Sequence, residues 1–189
     1  MEQRELLRRL VRALEKLRLR YFVTGGWATI FYGEPRFTKD IDVVVDLTAA
    51  EVRELLAEFP APEFYASDEA ALEAVRKRRQ FNIIQSRTGW KIDVIVPPHS
   101  RFDRSRFARS QRLDAGGFEA QFAAPEDAIL MKLVYYRDGG SDRHLRDIAG
   151  VLQIAGDKVD RAYVASWAEQ LGVAAEWQLV LDALAHGGS

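Results

Sequence analysis

Cysteine is absent, and with it go disulfides, thiol nucleophiles and cysteine-based zinc sites. The histidines, His99, His144 and His186, are too scattered to build a metal-ligand cluster. No apolar run is long enough to span a bilayer. The N-terminus lacks the unbroken apolar stretch of a secretory signal. Charge of either sign is not in excess: the net value is −1 over 189 residues, so any nucleic-acid contact must be local rather than a property of the whole chain. These absences point to a cytoplasmic protein with no membrane association. What is present is ordinary for a globular chain, 48% hydrophobic and 29% charged, enough at this length for one well-packed domain.

The informative stretch is Tyr21 to Leu47. It opens as an apolar strand (Tyr21, Phe22, Val23), turns on Gly25-Gly26, passes through a short helix and enters a second strand over Ile41–Asp46. Alternate strand residues share a face, so Asp40 and Asp42 project together while Ile41 and Val43 point the other way. Two carboxylates side by side repel unless a positive charge lies between them. A divalent cation answers that need, since Mg²⁺ favours a few carboxylates, phosphate oxygens and water. Gly25 and Gly26 allow a sharp turn and let a phosphate approach backbone N–H groups at the start of the next helix. A phosphate loop beside a metal strand reads as a site for a nucleoside triphosphate.

The string Gly25-Gly26-Trp27-Ala28, followed by Gly33-Glu34-Pro35-Arg36-Phe37-Thr38-Lys39-Asp40-Ile41-Asp42, resembles the catalytic core of the DNA polymerase β-type nucleotidyltransferases. It is most similar to the small bacterial branch around the AbiEii and MenT toxins. The resemblance implies an α/β fold: a small mixed, twisted sheet flanked by helices, with a C-terminal helical bundle closing the nucleotide cleft. It implies one nucleotidyltransferase-like domain over 1–189, with a sheet-containing catalytic core at 1–124 and a helical part at 125–186. It also implies an enzyme that moves a nucleotide from an NTP to a hydroxyl of a macromolecule with the help of Mg²⁺ or Mn²⁺. Asp40 and Asp42 would bind the metal, and Gly25 and Gly26 would cradle the phosphates. Arg36 and Thr38, flanking the strand entry, would contact phosphate or fix the loop. In that family a third carboxylate arrives on a later strand, and Asp93 is the acid on a clear strand at a suitable place. Read without the resemblance, Asp93 is an edge-strand residue facing water.

The rest of the chain supplies the scaffold. Glu2 to Leu19 reads as a helix with Leu6, Leu10, Leu14 and Leu17 on one stripe and arginines on the solvated face. Thr48 to Glu51 has the form of a capping box opening a helix to about Phe59. Asp68 to Lys77 is another helix, and Phe81–Gln85 with Trp90–Val96 forms a hairpin across Arg87-Thr88-Gly89. Ser100 to Arg112, with Arg101, Arg104, Arg106, Arg109 and Arg112 and no strong periodicity, reads as a loop or a poorly formed helix. With Arg76 to Arg79 it is the best phosphate-backbone patch, balanced against plain solvated surface.

Pro125 starts a helix, with Glu126 and Asp127 in its first turn. Ala128–Arg137 is apolar nearly all round, so Lys132 should be buried and needs a partner, either a triphosphate or a carboxylate; the bland reading is a snorkelling side chain. The segment resembles later motifs of the AbiEii-like toxins, where a lysine and an aspartate on successive helices approach the nucleotide, here Lys132 and Asp147. Asp147 is equally placed for an i,i+4 pair with Arg143. Further helices follow over Asp142–Ile154 and around Trp167 and Trp177, and the tail from His186 reads as disordered.

The acceptor stays open at this level. RNA, with tRNA foremost, or protein fits the arginine patches and the AbiEii-like strings, and the toxin branch brings an antitoxin partner with it. An aminoglycoside-type, small-molecule nucleotidyltransferase and a non-catalytic nucleotide- or RNA-binding toxin–antitoxin component are the alternatives.

Overall fold

A computed structural model describes residues 2–32, 38 and 40–186. In chain order the elements are α1 (Gln3–Lys16), β1 (Tyr21–Thr24), α2 (Gly25–Tyr32), β2 (Asp40–Val45), α3 (Ala49–Ala57), β3 (Phe64–Tyr65), α4 (Asp68–Lys77), β4 (Gln80–Gln85) and β5 (Lys91–Ile95). They continue with α5 (Arg101–Arg109), β6 (Gln111–Asp114), β7 (Glu119–Phe122), α6 (Pro125–Gly139), α7 (Asp142–Ala155), α8 (Arg161–Leu171) and α9 (Ala174–His186). The fold is mixed α/β.

The chain forms two compact units. The first comprises Met1–Trp27 and Phe37–Ala123, the second Ala28–Arg36 and Ala124–Ser189. The first is built on a seven-stranded sheet in the order β3-β4-β5-β2-β1-β7-β6. The β1–β7 and β2–β5 pairs are parallel and the others antiparallel. The central strands are buried in runs: all of β1, and Ile41, Val43, Val44 and Val45 of β2. Parallel central strands of this kind are apolar on both faces, so a polar residue among them stands out.

Helix α1 buries Leu6, Leu7, Leu10 and Leu14 completely. It ends at Lys16, short of the Leu19 that the sequence suggests. Arg18 takes a left-handed conformation (φ 54°), and the N–H groups of Arg18 and Leu19 donate back to the carbonyls of Glu15 and Leu14. That is a Schellman closure with arginine in the usual glycine position. The capping box at Thr48–Glu51 forms as read from sequence. Ser100 to Arg109 departs from expectation: it is a well-formed helix, because Ser100 and Asp103 cap it reciprocally. The β6–β7 hairpin that follows, turned on Gly116 and Gly117 with Asp114 accepting from both of their N–H groups, is a second element absent from the sequence reading.

In the second unit α6 packs against α7, α8 and α9. Ile129, Leu130, Leu133, Ile148, Val151, Val164 and Trp177 form its core. Glu126 and Asp127, besides suiting a helix N-terminus, are buried: Glu126 accepts from the Asp160 N–H at the start of α8, and Tyr163 donates to Asp127. Among the described residues no helix is long and apolar enough to cross a membrane. The expected disordered tail lies outside the described residues beyond His186.

Candidate active site

Three adjacent strands of the first unit set the site. Asp42 on β2 is the register partner of Thr24 on β1 and of Asp93 on β5. Residues paired across neighbouring strands share a face of the sheet, so Asp42 and Asp93 project together, and Asp40, two residues back, joins them. Asp93 is therefore not at an edge. Its strand lies between β4 and β2, and the residue is only 7% exposed, whereas the Asp40 side chain is 44% exposed.

The glycines owe their identity to this pair of strands. Gly25 begins α2 directly after β1 with φ +61°, and a Cβ built on it would overlap the Asp42 carboxylate, 2.6 Å from its Cγ. A Cβ on Gly26 would lie 2.7 Å from the Thr38 hydroxyl oxygen. Thr38 is buried, and its hydroxyl donates to the Asp40 carbonyl at 3.2 Å. So the turn before α2 lies against the acidic strand with no room for side chains, which puts the first N–H groups of a helix beside Asp42. A helix start of this kind favours anions.

Lys91 supplies the positive charge among the acids. Its ammonium stands 3.0 Å from Asp93 Oδ2 and 3.9 Å from Asp40 Oδ1. Burial pushes the Asp93 carboxyl up; the hydrogen bond and charge of Lys91 pull it down; Asp40 pushes it up again, and the net result is above the ordinary carboxylate value. Lys91 is raised in turn, first by its hydrogen bond to Asp93, against partial burial, and then by the charges of Asp93, Asp40 and Asp42. From β4, Asn82 is the register partner of Asp93, and with its amide oriented nitrogen-first, as its neighbours require, it donates to the Asp93 carboxylate.

The donor set fits a hard divalent cation: carboxylate oxygens on one rigid face, open on the side where Asp40 is exposed. Among the described residues the acids are not already drawn around one point. They are arranged instead about the Lys91 ammonium.

Lys132 is buried as its helix required. Its partner is Asp147 on α7, Nζ to Oδ2 2.6 Å, both side chains 7% exposed. This ion pair joins α6 to α7 within the helical unit. Arg36 lies outside the described residues.

A family model, described as the nucleotidyl transferase AbiEii toxin of a type IV toxin–antitoxin system, matches residues 5–178. The chain belongs to that family. It is a nucleotidyltransferase of a toxin family, and its fold has solved counterparts. ANT(2")-Ia in complex with adenylyl-2"-tobramycin aligns over 89% of this chain and 98% of its own at 14% identity and a TM-score of 0.60. The lincosamide antibiotic adenylyltransferase LnuA, lincomycin-bound, aligns over 82% and 98% at 12% identity and TM-score 0.56. JHP933 from Helicobacter pylori aligns over 98% and 80% at 15% identity and TM-score 0.54. At such identities the likeness shows the fold. No curated protein sequence matches the chain.

Two residues beside the acids are absent from the sequence reading, Lys91 and Asn82. The signal for Lys91 is present: Lys91-Ile92-Asp93 has the same period of two as Asp40-Ile41-Asp42, which puts the lysine on the acidic face. The proposed arginine patch, by contrast, is partly structural. Arg106 is 6% exposed, pairs with Asp103 and lies over the rings of Phe22 and Phe102. Arg104 donates to the His99 carbonyl, and Arg78 meets the ring of His99, which contacts Asp46.

Proposed function

We propose that this chain transfers a nucleoside monophosphate from an NTP to a hydroxyl of a macromolecule, RNA (tRNA foremost) or protein, in the cytoplasm, as the toxin of a toxin–antitoxin pair. The observation that carries the reading is the register of Asp42 with Asp93, with Asp40 on the same face and Gly25-Gly26 against Asp42. Asp40, Asp42 and Asp93 would hold Mg²⁺ or Mn²⁺. When bound, such an ion polarises the α-phosphate and lowers the pKa of the attacking hydroxyl. The chain's own groups do the rest. The N–H groups at the start of α2 orient the triphosphate, and Thr38 fixes the strand entry by holding the Asp40 carbonyl. Asp93, its carboxyl held above the ordinary value mainly by burial, accepts the proton of the acceptor hydroxyl or orients it. The hydroxyl attacks the α-phosphorus and pyrophosphate leaves. Lys132, Asp147 and Arg36 would be further nucleotide-binding residues.

A small-molecule acceptor is the second reading, supported by the likeness of the fold to ANT(2")-Ia and LnuA, whose structures carry adenylyl-tobramycin and lincomycin. One experiment separates them: α-labelled NTPs and Mg²⁺ are supplied with total RNA, with RNA-free lysate protein, or with tobramycin and lincomycin. Label in RNA or protein supports the first reading, label in the drug the second. No transfer to any acceptor, with NTP binding intact, would leave a non-catalytic binding protein.

A further inference from the structure

Lys91 starts β5 and is the register partner of Asp40 across the parallel β2–β5 pair, two residues before Asp93 on the same face. Its position therefore follows from the backbone, not from a chance rotamer. Its ammonium reaches Asp93 at 3.0 Å and Asp40 at 3.9 Å while the side chain stays 31% exposed. Asp42 faces the same space from β2, and Asn82 approaches Asp93 from β4. Carboxylates this close on one face repel without a cation. The chain carries its own.

We infer that Lys91 is a built-in counter-ion: it neutralises the acid cluster in the metal-free protein and yields its place when a divalent cation enters, so that metal loading is an exchange of one cation for another. The inference rests on the reading of Asp40, Asp42 and Asp93 as metal ligands. The side chain suits the role. A lysine presents a compact point charge on a flexible four-carbon stem and can withdraw to solvent, whereas arginine's planar fork grips a carboxylate with two parallel hydrogen bonds. Exchange has two consequences. The metal-free protein keeps its strands together without an ion, and the affinity for free metal is lower than the acids alone would give, because the incoming ion must displace a charge already in place.

The test measures metal binding itself. Free Mn²⁺ is followed by electron paramagnetic resonance during titration of the unmodified protein, Lys91→Met and Lys91→Arg, with and without a non-hydrolysable NTP. Melting curves are recorded in chelator and in saturating Mn²⁺. Lys91→Met is expected to bind Mn²⁺ about tenfold more tightly or better, a difference of about 1.4 kcal/mol. It should melt lower than the unmodified protein in chelator and gain more from the ion, and Lys91→Arg should bind more weakly. Should Lys91→Met not fold, Lys91→Gln replaces it. In the unmodified protein, Mn²⁺ should also speed modification of Lys91 by an amine reagent, read by peptide mass spectrometry. Equal or weaker Mn²⁺ binding by the neutral variants, or a Lys91 no more reactive with Mn²⁺ bound, overturns the counter-ion role and leaves the metal reading standing. Absence of Mn²⁺ binding to every protein, NTP present or not, overturns both.

Discussion

Gly25 and the Asp42 carboxylate occupy touching space, so that one methyl group on the glycine would displace the acid. Gly25→Ala therefore carries two penalties. The left-handed φ of +61° costs about 1–2 kcal/mol in an L-residue, and Asp42 must move. Nucleotide transfer is expected to fall much further than stability does, measured as kcat against a denaturant midpoint. Gly26→Ala, without a positive φ to strain and meeting Thr38 rather than Asp42, should lose less. Full activity in Gly25→Ala would remove Asp42 from the proposed site.

Asp93 should govern the acid side of the pH–rate profile. Its carboxyl is held above its ordinary value of 3.8 by burial. The ionised form is the useful one, so activity rises as pH climbs through the raised pKa. Asp93→Asn should lower transfer by about a hundredfold to ten-thousandfold, the usual contribution of a general base, with NTP binding kept. An Asp93→Asn variant with normal rates would mean that this acid serves only to anchor Lys91.

Breaking the Lys132–Asp147 pair on one side should destabilise the protein. Lys132→Ala leaves Asp147 buried without its cation, at an expected cost of about 3–5 kcal/mol, measured by urea unfolding. Lys132→Met combined with Asp147→Leu should recover most of it. If the recovered double variant still binds NTP like the original, the pair is structural and neither residue serves the nucleotide.

The Asp103–Arg106 pair on the buried face of α5 makes stability pH-dependent. Burial raises the Asp103 carboxyl, but the hydrogen bonds of Arg106 and Ser100 and the charge of Arg106 outweigh it, leaving the group below its usual 3.8. A depressed carboxylate contributes stability above its unfolded pKa and loses it as pH falls through the folded one. The stability gap between the unmodified protein and Asp103→Asn should be widest above about pH 4 and close as pH falls further. A gap that stays constant as pH falls through the whole carboxylate range would mean that the acid and the amide at this position differ only in packing.

Much of this was legible because strand periodicity is simple. Asp40 and Asp42 share a face by counting, and Asp93 stands out in an otherwise apolar strand. Gly25 and Gly26 were legible as a turn, but not as the surface on which Asp42 and Thr38 rest; that depends on which strands neighbour β1. Lys91 was hidden because a lysine at a strand start usually faces water. The α5 helix was hidden because its arginines break the apolar pattern and its cap uses Asp103 in place of Glu or Gln. The polar β6 strand has no buried residue to signal it. Asp147 had two partners within reach of the pattern, Arg143 and Lys132, and only tertiary packing chose the lysine.

The place of β1 in the sheet bears on how the chain is made. Its hairpin-like partner β2 is nearby in sequence, but its other edge is covered by β7, with Val23 opposite Phe122 and the Ala123 N–H donating to the Val23 carbonyl. Until that late strand has left the ribosome, β1 presents an open edge with apolar side chains, the kind of edge that recruits other strands. Gly25 directly follows that strand, and Asp42 on β2 pairs with its last residue, Thr24. The nascent chain thus carries its acids and its phosphate turn long before the sheet that frames them can close. Chaperone supply during synthesis should therefore raise the yield of folded protein.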